Sequence, residues 1–171
     1  MKWLLRGFPG HPLHPPLTDA TIGAYTFATA MVVLSRLGVS EHNTATAWWL
    51  ALIAGLILTA PTAITGFVEW LEIQRGTSVW RTATAHLTAM LSATVLFAIA
   101  AGSGHADYVD GVVSGGALVL TLAGYVVLAV GGWLGGAIVF VHGMRVLSLA
   151  DEPTARAISP VPSPEKEEAE A

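Results

Sequence analysis

GVVSGGALVLTLAGYVVLAVGGWLGGAIVFVHGM, residues 111–144, runs for more than thirty positions without a single Asp, Glu, Lys or Arg. Crossing a bilayer core takes roughly 20 helical residues, so this run reads as a membrane span. Working outward, three more uncharged runs are long enough for the same reading: 82–106, 44–68, and 20–35, which extends back through Leu17. The whole chain of 171 residues is 53% hydrophobic and 12% charged, about half the charge of a soluble domain. The expected fold is therefore all-α, an integral membrane four-helix bundle over residues 1–148. A Pro- and Glu-rich acidic tail, 149–171, is expected to be disordered.

Lys and Arg accumulate in cytoplasmic loops. With four spans the two termini and the link between the second and third spans share one side. That side holds Lys2, Arg6, Arg75, Arg81, Arg145, Arg156 and Lys166, and the other holds Arg36 alone. Both termini are expected in the cytoplasm, with the protein in the inner (plasma) membrane of the cell. Trp48 and Trp49 at one interface, and Trp70 and Trp80 at the other, mark the same span ends. The start Lys2–Arg6 resembles a secretory signal only briefly, because its apolar stretch stops at Gly7, and no cleavable signal is expected.

Small residues form stripes within the spans, as close helix packing in lipid requires. Gly124, Gly131, Gly135 and His142 share one face of the last span, with Gly132 and Gly136 beside them, and Gly55, Thr62, Gly66 and Glu69 share one face of the second. Pro61 is expected to bend the second span, with Thr62 or Thr65 satisfying freed carbonyls.

Six histidines are present, and four fall at one end of the bundle. His11 and His14 precede the first span in GHPLHPP, His86 lies about one turn inside the third, and His142 ends the fourth. Glu69 and Asp19 lie at the same depth, so every span delivers an ionisable or ligating group to one layer. His42 and His105 fall in the opposite loops, where solvation suffices. His11 and His14 each precede a proline, which favours extended or polyproline II backbone. In that geometry their rings sit roughly 9 Å apart, so one of the two is expected to reach the site while the other orients a neighbour, caps a helix or contacts lipid headgroups. Pro15, Pro16, Thr18 and Asp19 are expected to open the first helix, the acid placed against its dipole.

The chain has no cysteine, which excludes disulfides, iron–sulfur clusters and thioether-linked haem. A cofactor would be held by imidazole and carboxylate. A b-type haem needs two axial imidazoles on facing elements: His86 and His142 are the expected pair, His14 or His11 the supporting ones, with Gly135, Gly136, Ala89 and Ala93 lining the slot. A non-haem metal ion would instead use His86, His142 and His14 together with Glu69 and Asp19. Electron transfer involving quinone or a redox partner protein is then the expected role. No nucleophile constellation, phosphate-binding glycine loop or nucleic-acid patch is present, so no enzymatic reaction and no nucleic-acid partner is read from the chain. The competing reading is a non-catalytic assembly or structural subunit, or a small transporter component, in which the polar layer docks helices. A homodimer would supply the substrate pathway that four spans lack.

GHPLHPPLTD followed by IGAY, then TAITGFVEW, RTATAHLTAM and GGWLGGAIVFVHGMRV resemble, in order and spacing, the bacterial four-helix membrane family known as domain of unknown function 2231, over about residues 8–147. The resemblance implies the four-helix membrane fold. Glu69 stands where many relatives have Asp, which keeps the carboxylate and lengthens its reach. Some relatives carry a Rieske-type iron–sulfur domain, which implies a redox setting.

Overall fold

Four of the apolar runs become helices, and what ends each of them is local chemistry. In the computed structural model, which describes residues 5, 7, 8 and 11–146, a two-residue strand β1 (Gly7–Phe8) pairs antiparallel with β2 (His11–Pro12), Gly7 opposite Pro12 and Phe8 opposite His11. Gly7 has φ +73°, and a Cβ there would collide with the His11 carbonyl, so only glycine serves. Helix α1 (His14–Arg36) follows at once, with prolines in its first turn. A proline's missing N–H costs nothing there and its fixed φ suits the helix. This corrects the sequence reading: His14 is the first residue of the helix and not part of an extended lead-in, and Asp19 lies beyond the first turn.

Helix α2 (Glu41–Leu71) runs through Pro61. Thr62 Oγ1 donates to Leu58 O at 2.7 Å and Thr65 Oγ1 to Pro61 O at 3.0 Å, so the threonines bind carbonyls next to the proline. Helix α3 (Ser78–Ser103) is capped by Thr77, whose Oγ1 accepts from Trp80 N at 3.2 Å. A short helix α4 (His105–Asp110) forms within the loop between the last two spans, and α5 (Gly115–Phe140) is capped by Ser114. Four helices, α1, α2, α3 and α5, are long and apolar enough to cross a membrane. Large apolar side chains on their outer surfaces stay uncovered, with Phe140 87% and Trp133 82% exposed. That is unfavourable in water and neutral in lipid. The expected 149–171 tail, and Lys2, Arg6, Arg156 and Lys166 of the charge count, lie outside the described residues.

The chain packs mainly as two helical hairpins, α1 with α2 and α3 with α5, and the two repeat one design. In each, the second helix offers two glycines eleven residues apart, and two rings eleven residues apart on the first helix lie over them. A Cβ on Gly55 would meet the Tyr25 ring at 2.6 Å, and one on Gly66 the His14 ring at 2.6 Å. One on Gly124 would meet the Phe97 ring at 2.9 Å, and one on Gly135 the His86 ring at 3.1 Å. Residues of the first helices thus correspond at an offset of seventy-two, and those of the second helices at sixty-nine. Tyr25 and Phe97, the corresponding inner rings, stack on each other at 4.0 Å and 11° where the hairpins meet. Both are fully buried, as are Trp48 and Leu52. Trp48 Nε1 donates across the same interface to Thr121 Oγ1 at 3.1 Å.

Candidate functional site

Beyond the Tyr25–Phe97 stack, toward the end of the bundle where α1 starts and α5 stops, the hairpins separate around a cavity of about 510 Å³. That is within the usual range for cofactor and small-molecule sites, roughly 300–1,000 Å³. The outer ring of each hairpin, His14 and His86, lines it, together with Glu69, Asp19, Tyr25, Met90 and five threonines. Leu87, Leu91, Ile138 and Val139 make most of the remaining wall apolar.

The two imidazoles are held the same way. His14 Nδ1 lies 3.1 Å from Thr62 O, and His86 Nδ1 lies 2.8 Å from Gly131 O. Thr62 and Gly131 are corresponding positions of the two hairpins. A carbonyl only accepts, so each Nδ1 carries the proton and donates. In the neutral form, each ring is then left with an electron pair on Nε2. At His14 the Thr65 hydroxyl adds a second partner to Nδ1 at 3.1 Å, while Thr18 Oγ1, which donates to His14 O at 3.0 Å, stands 3.4 Å from Nε2. At His86 the position corresponding to Thr18 is Met90.

A strap, residues 141–146, crosses the cavity end. His142 Nε2 lies 3.1 Å from Thr82 Oγ1 on α3, and Arg145 reaches Glu69 at 3.5 Å and Glu72 at 3.8 Å on α2. Arg145, at φ +59°, has a left-handed backbone. Between these two attachments Met144 contributes to the cavity wall.

The sequence-derived layer is thus partly assembled. His14, His86, Glu69 and Asp19 line one cavity. His142 does not: it lies two residues past the end of α5 and turns to Thr82. His11 is exposed, in β2, and is not part of the lining. Gly135 and Gly136 line the cavity as expected, whereas Ala93 is buried in the core and Ala89 packs toward Gly131. His42 and His105 lie at the opposite end, His105 edge-on to Trp49 at 5.4 Å. Among the described residues, no three His, Asp or Glu side chains come together as a metal-ion cluster. The compact set of His86, His142, His14, Glu69 and Asp19 expected for a non-haem ion is therefore not formed. The sequence reading missed Met90, the Thr62 and Gly131 carbonyls, and Arg145. The shared eleven-residue spacings were the signal that would have paired His14 with His86.

Neither a curated protein nor a solved structure matches the chain. The family described as "Predicted membrane protein (DUF2231)" matches residues 10–148, and with four apolar helices in the expected places the chain belongs to that family of multi-pass membrane proteins.

Proposed function

We propose that the protein is a membrane-embedded b-type haem protein serving electron transfer, with His14 and His86 as the residues that would hold its iron. One observation carries this reading. Two imidazoles from corresponding positions line one cavity, each with Nδ1–H committed to a main-chain carbonyl and its Nε2 electron pair left to bind. Metal-binding histidines are typically held this way, because the outer hydrogen bond fixes the tautomer and raises the basicity of the ligating nitrogen. Such a nitrogen suits an electron-pair acceptor and cannot donate to a carbonyl.

The donor set fits a haem, which needs two protein ligands, better than an ion needing three or more. When bound, haem iron supplies a one-electron change of oxidation state. The protein's own part is to fix both rings over Gly66 and Gly135, exclude water with apolar walls, and bring Arg145 to the end where acidic groups of the cofactor would leave the membrane. Quinone or a redox partner protein is the proposed exchange partner. The excess of Lys and Arg on the termini side supports cytoplasmic termini in the inner membrane.

The test is a spectrum. Purified in mild detergent from cells supplied with iron and haem precursor, the protein is expected to be coloured, with a Soret band that shifts on dithionite reduction. His14→Ala and His86→Ala each remove or convert the band, while His11→Ala and His142→Ala leave it. A colourless, metal-free and stable protein would return the reading to an assembly subunit.

A further inference from the structure

The cavity is open as well as lined, and its openings are on the sides of helices. Four of its lining residues are exposed: Pro15 and Asp19 on α1, Phe140 at the end of α5, and Leu91 on α3. Gly132 and Gly136, one turn apart on α5, also line it, and a Cβ built on either meets nothing within 4 Å. This sets them apart from Gly131 and Gly135, each of which has a side chain of α3 against it. Gly132 and Gly136 therefore face open space, and α1, which carries the exposed lining residues Pro15 and Asp19, packs beside α5. The opposite seam, between α2 and α3, is shut at this end by Trp70, whose Nε1 donates to Thr84 Oγ1 at 2.9 Å and whose ring lies 6.2 Å from that of Trp80. The strap 141–146, tied to both α2 and α3, crosses the end that would otherwise face water.

We infer that the cavity takes its occupant sideways from the bilayer, through a portal between α1 and α5 whose sill is Gly132 and Gly136, and that this occupant is a flat, largely apolar ring compound dissolved in lipid. The width left by two missing side chains on one helix face suits a planar molecule entering edge-on. The apolar walls reward its transfer from lipid little, so specificity is left to the few polar groups inside, the two imidazoles among them. The portal rests on the cavity's geometry and holds whether or not the occupant is haem.

Because the chain has no cysteine, a single one reports access. Thr62 lines the cavity and is buried, so a reagent reaches Thr62→Cys through the cavity. In phosphatidylcholine vesicles, N-pyrenylmaleimide, a flat uncharged ring compound, is expected to modify Thr62→Cys at least about tenfold faster than a charged, membrane-impermeant disulfonated maleimide. Adding Gly132→Leu or, separately, Gly136→Leu should slow the pyrene reagent about fivefold or more. Modification of Val126→Cys, on the lipid-facing side of α5, should proceed at an unchanged rate in either background, which shows that the leucine variants still fold. Equal rates for the two reagents, or leucines without effect on Thr62→Cys, overturn the portal. Neither result depends on haem, so failure here and failure of the spectral test are told apart.

Discussion

The two hairpins share a frame and differ in what fills it. In the α1–α2 hairpin the seam is hydroxyl-rich: Thr21 Oγ1 meets Thr62 Oγ1 at 2.9 Å, and Tyr25 OH donates to Thr59 Oγ1 at 2.8 Å, because Thr59 spends its own proton on Gly55 O. In the α3–α5 hairpin the corresponding positions are Ala93 with Gly131, and Phe97 with Leu128, and no side-chain hydrogen bond replaces these two. What both hairpins keep is a ring over each glycine and an imidazole donating to a main-chain carbonyl. The rings and their glycines are therefore the common structural requirement, and the hydroxyls are one of two ways to fill the space between them.

Removing an inner ring should have the largest effect. Phe97→Ala leaves a void at the fully buried stack with Tyr25, and truncations of this kind cost about 3–5 kcal/mol. Tyr25→Ala should cost as much, measured by unfolding in detergent. A large inequality between them would mean that one hairpin carries the core alone.

A middle-sized effect tests the difference in filling. Phe97→Tyr places a hydroxyl beside Leu128, where the other hairpin has Thr59, and a buried hydroxyl without an acceptor costs about 1–3 kcal/mol. Gly55→Ala and Gly124→Ala, whose new methyl groups meet buried rings at 2.6 and 2.9 Å, should each cost a similar amount, about 1–3 kcal/mol. Gly132→Ala, facing open space, should cost no more than a few tenths (~0.3 kcal/mol).

The hydroxyl contacts should matter least. A double-mutant cycle of Thr21→Val and Thr62→Val should give a coupling near 0.6 kcal/mol, about the average for hydrogen bonds between membrane helices. A coupling above about 2 kcal/mol would exceed the range such bonds show and make the hydroxyl seam a principal support.

Much of this architecture could be read from sequence. Uncharged runs located the spans, since charge is what lipid penalises, and the glycine stripes gave the faces that accept neighbouring helices. The end of the bundle that holds the cavity was also legible, because ionisable groups in apolar spans are few. The choice of histidines was not. His142 stands on the glycine face of the last span by periodicity, but the helix ends at Phe140 and the chain turns away, so the period no longer places it. His14 was assigned to an extended segment because it precedes Pro15. In the structure that proline occupies a first helical turn, where its ring is tolerated, and His14 is carried into the bundle. Arg145 reaches Glu69 only through the positive φ of the strap, a backbone choice that non-glycine residues seldom signal.

His14 and His86 are proposed as ligands to one iron. Electron paramagnetic resonance of the oxidised, haem-loaded protein tests it most directly. The wild type and His142→Ala should show the low-spin ferric signal of two imidazole ligands, while His14→Ala and His86→Ala should each convert it to the high-spin signal of iron with one. A low-spin signal that survives His14→Ala and is lost with His142→Ala would contradict the account and restore the pair that sequence periodicity alone suggests.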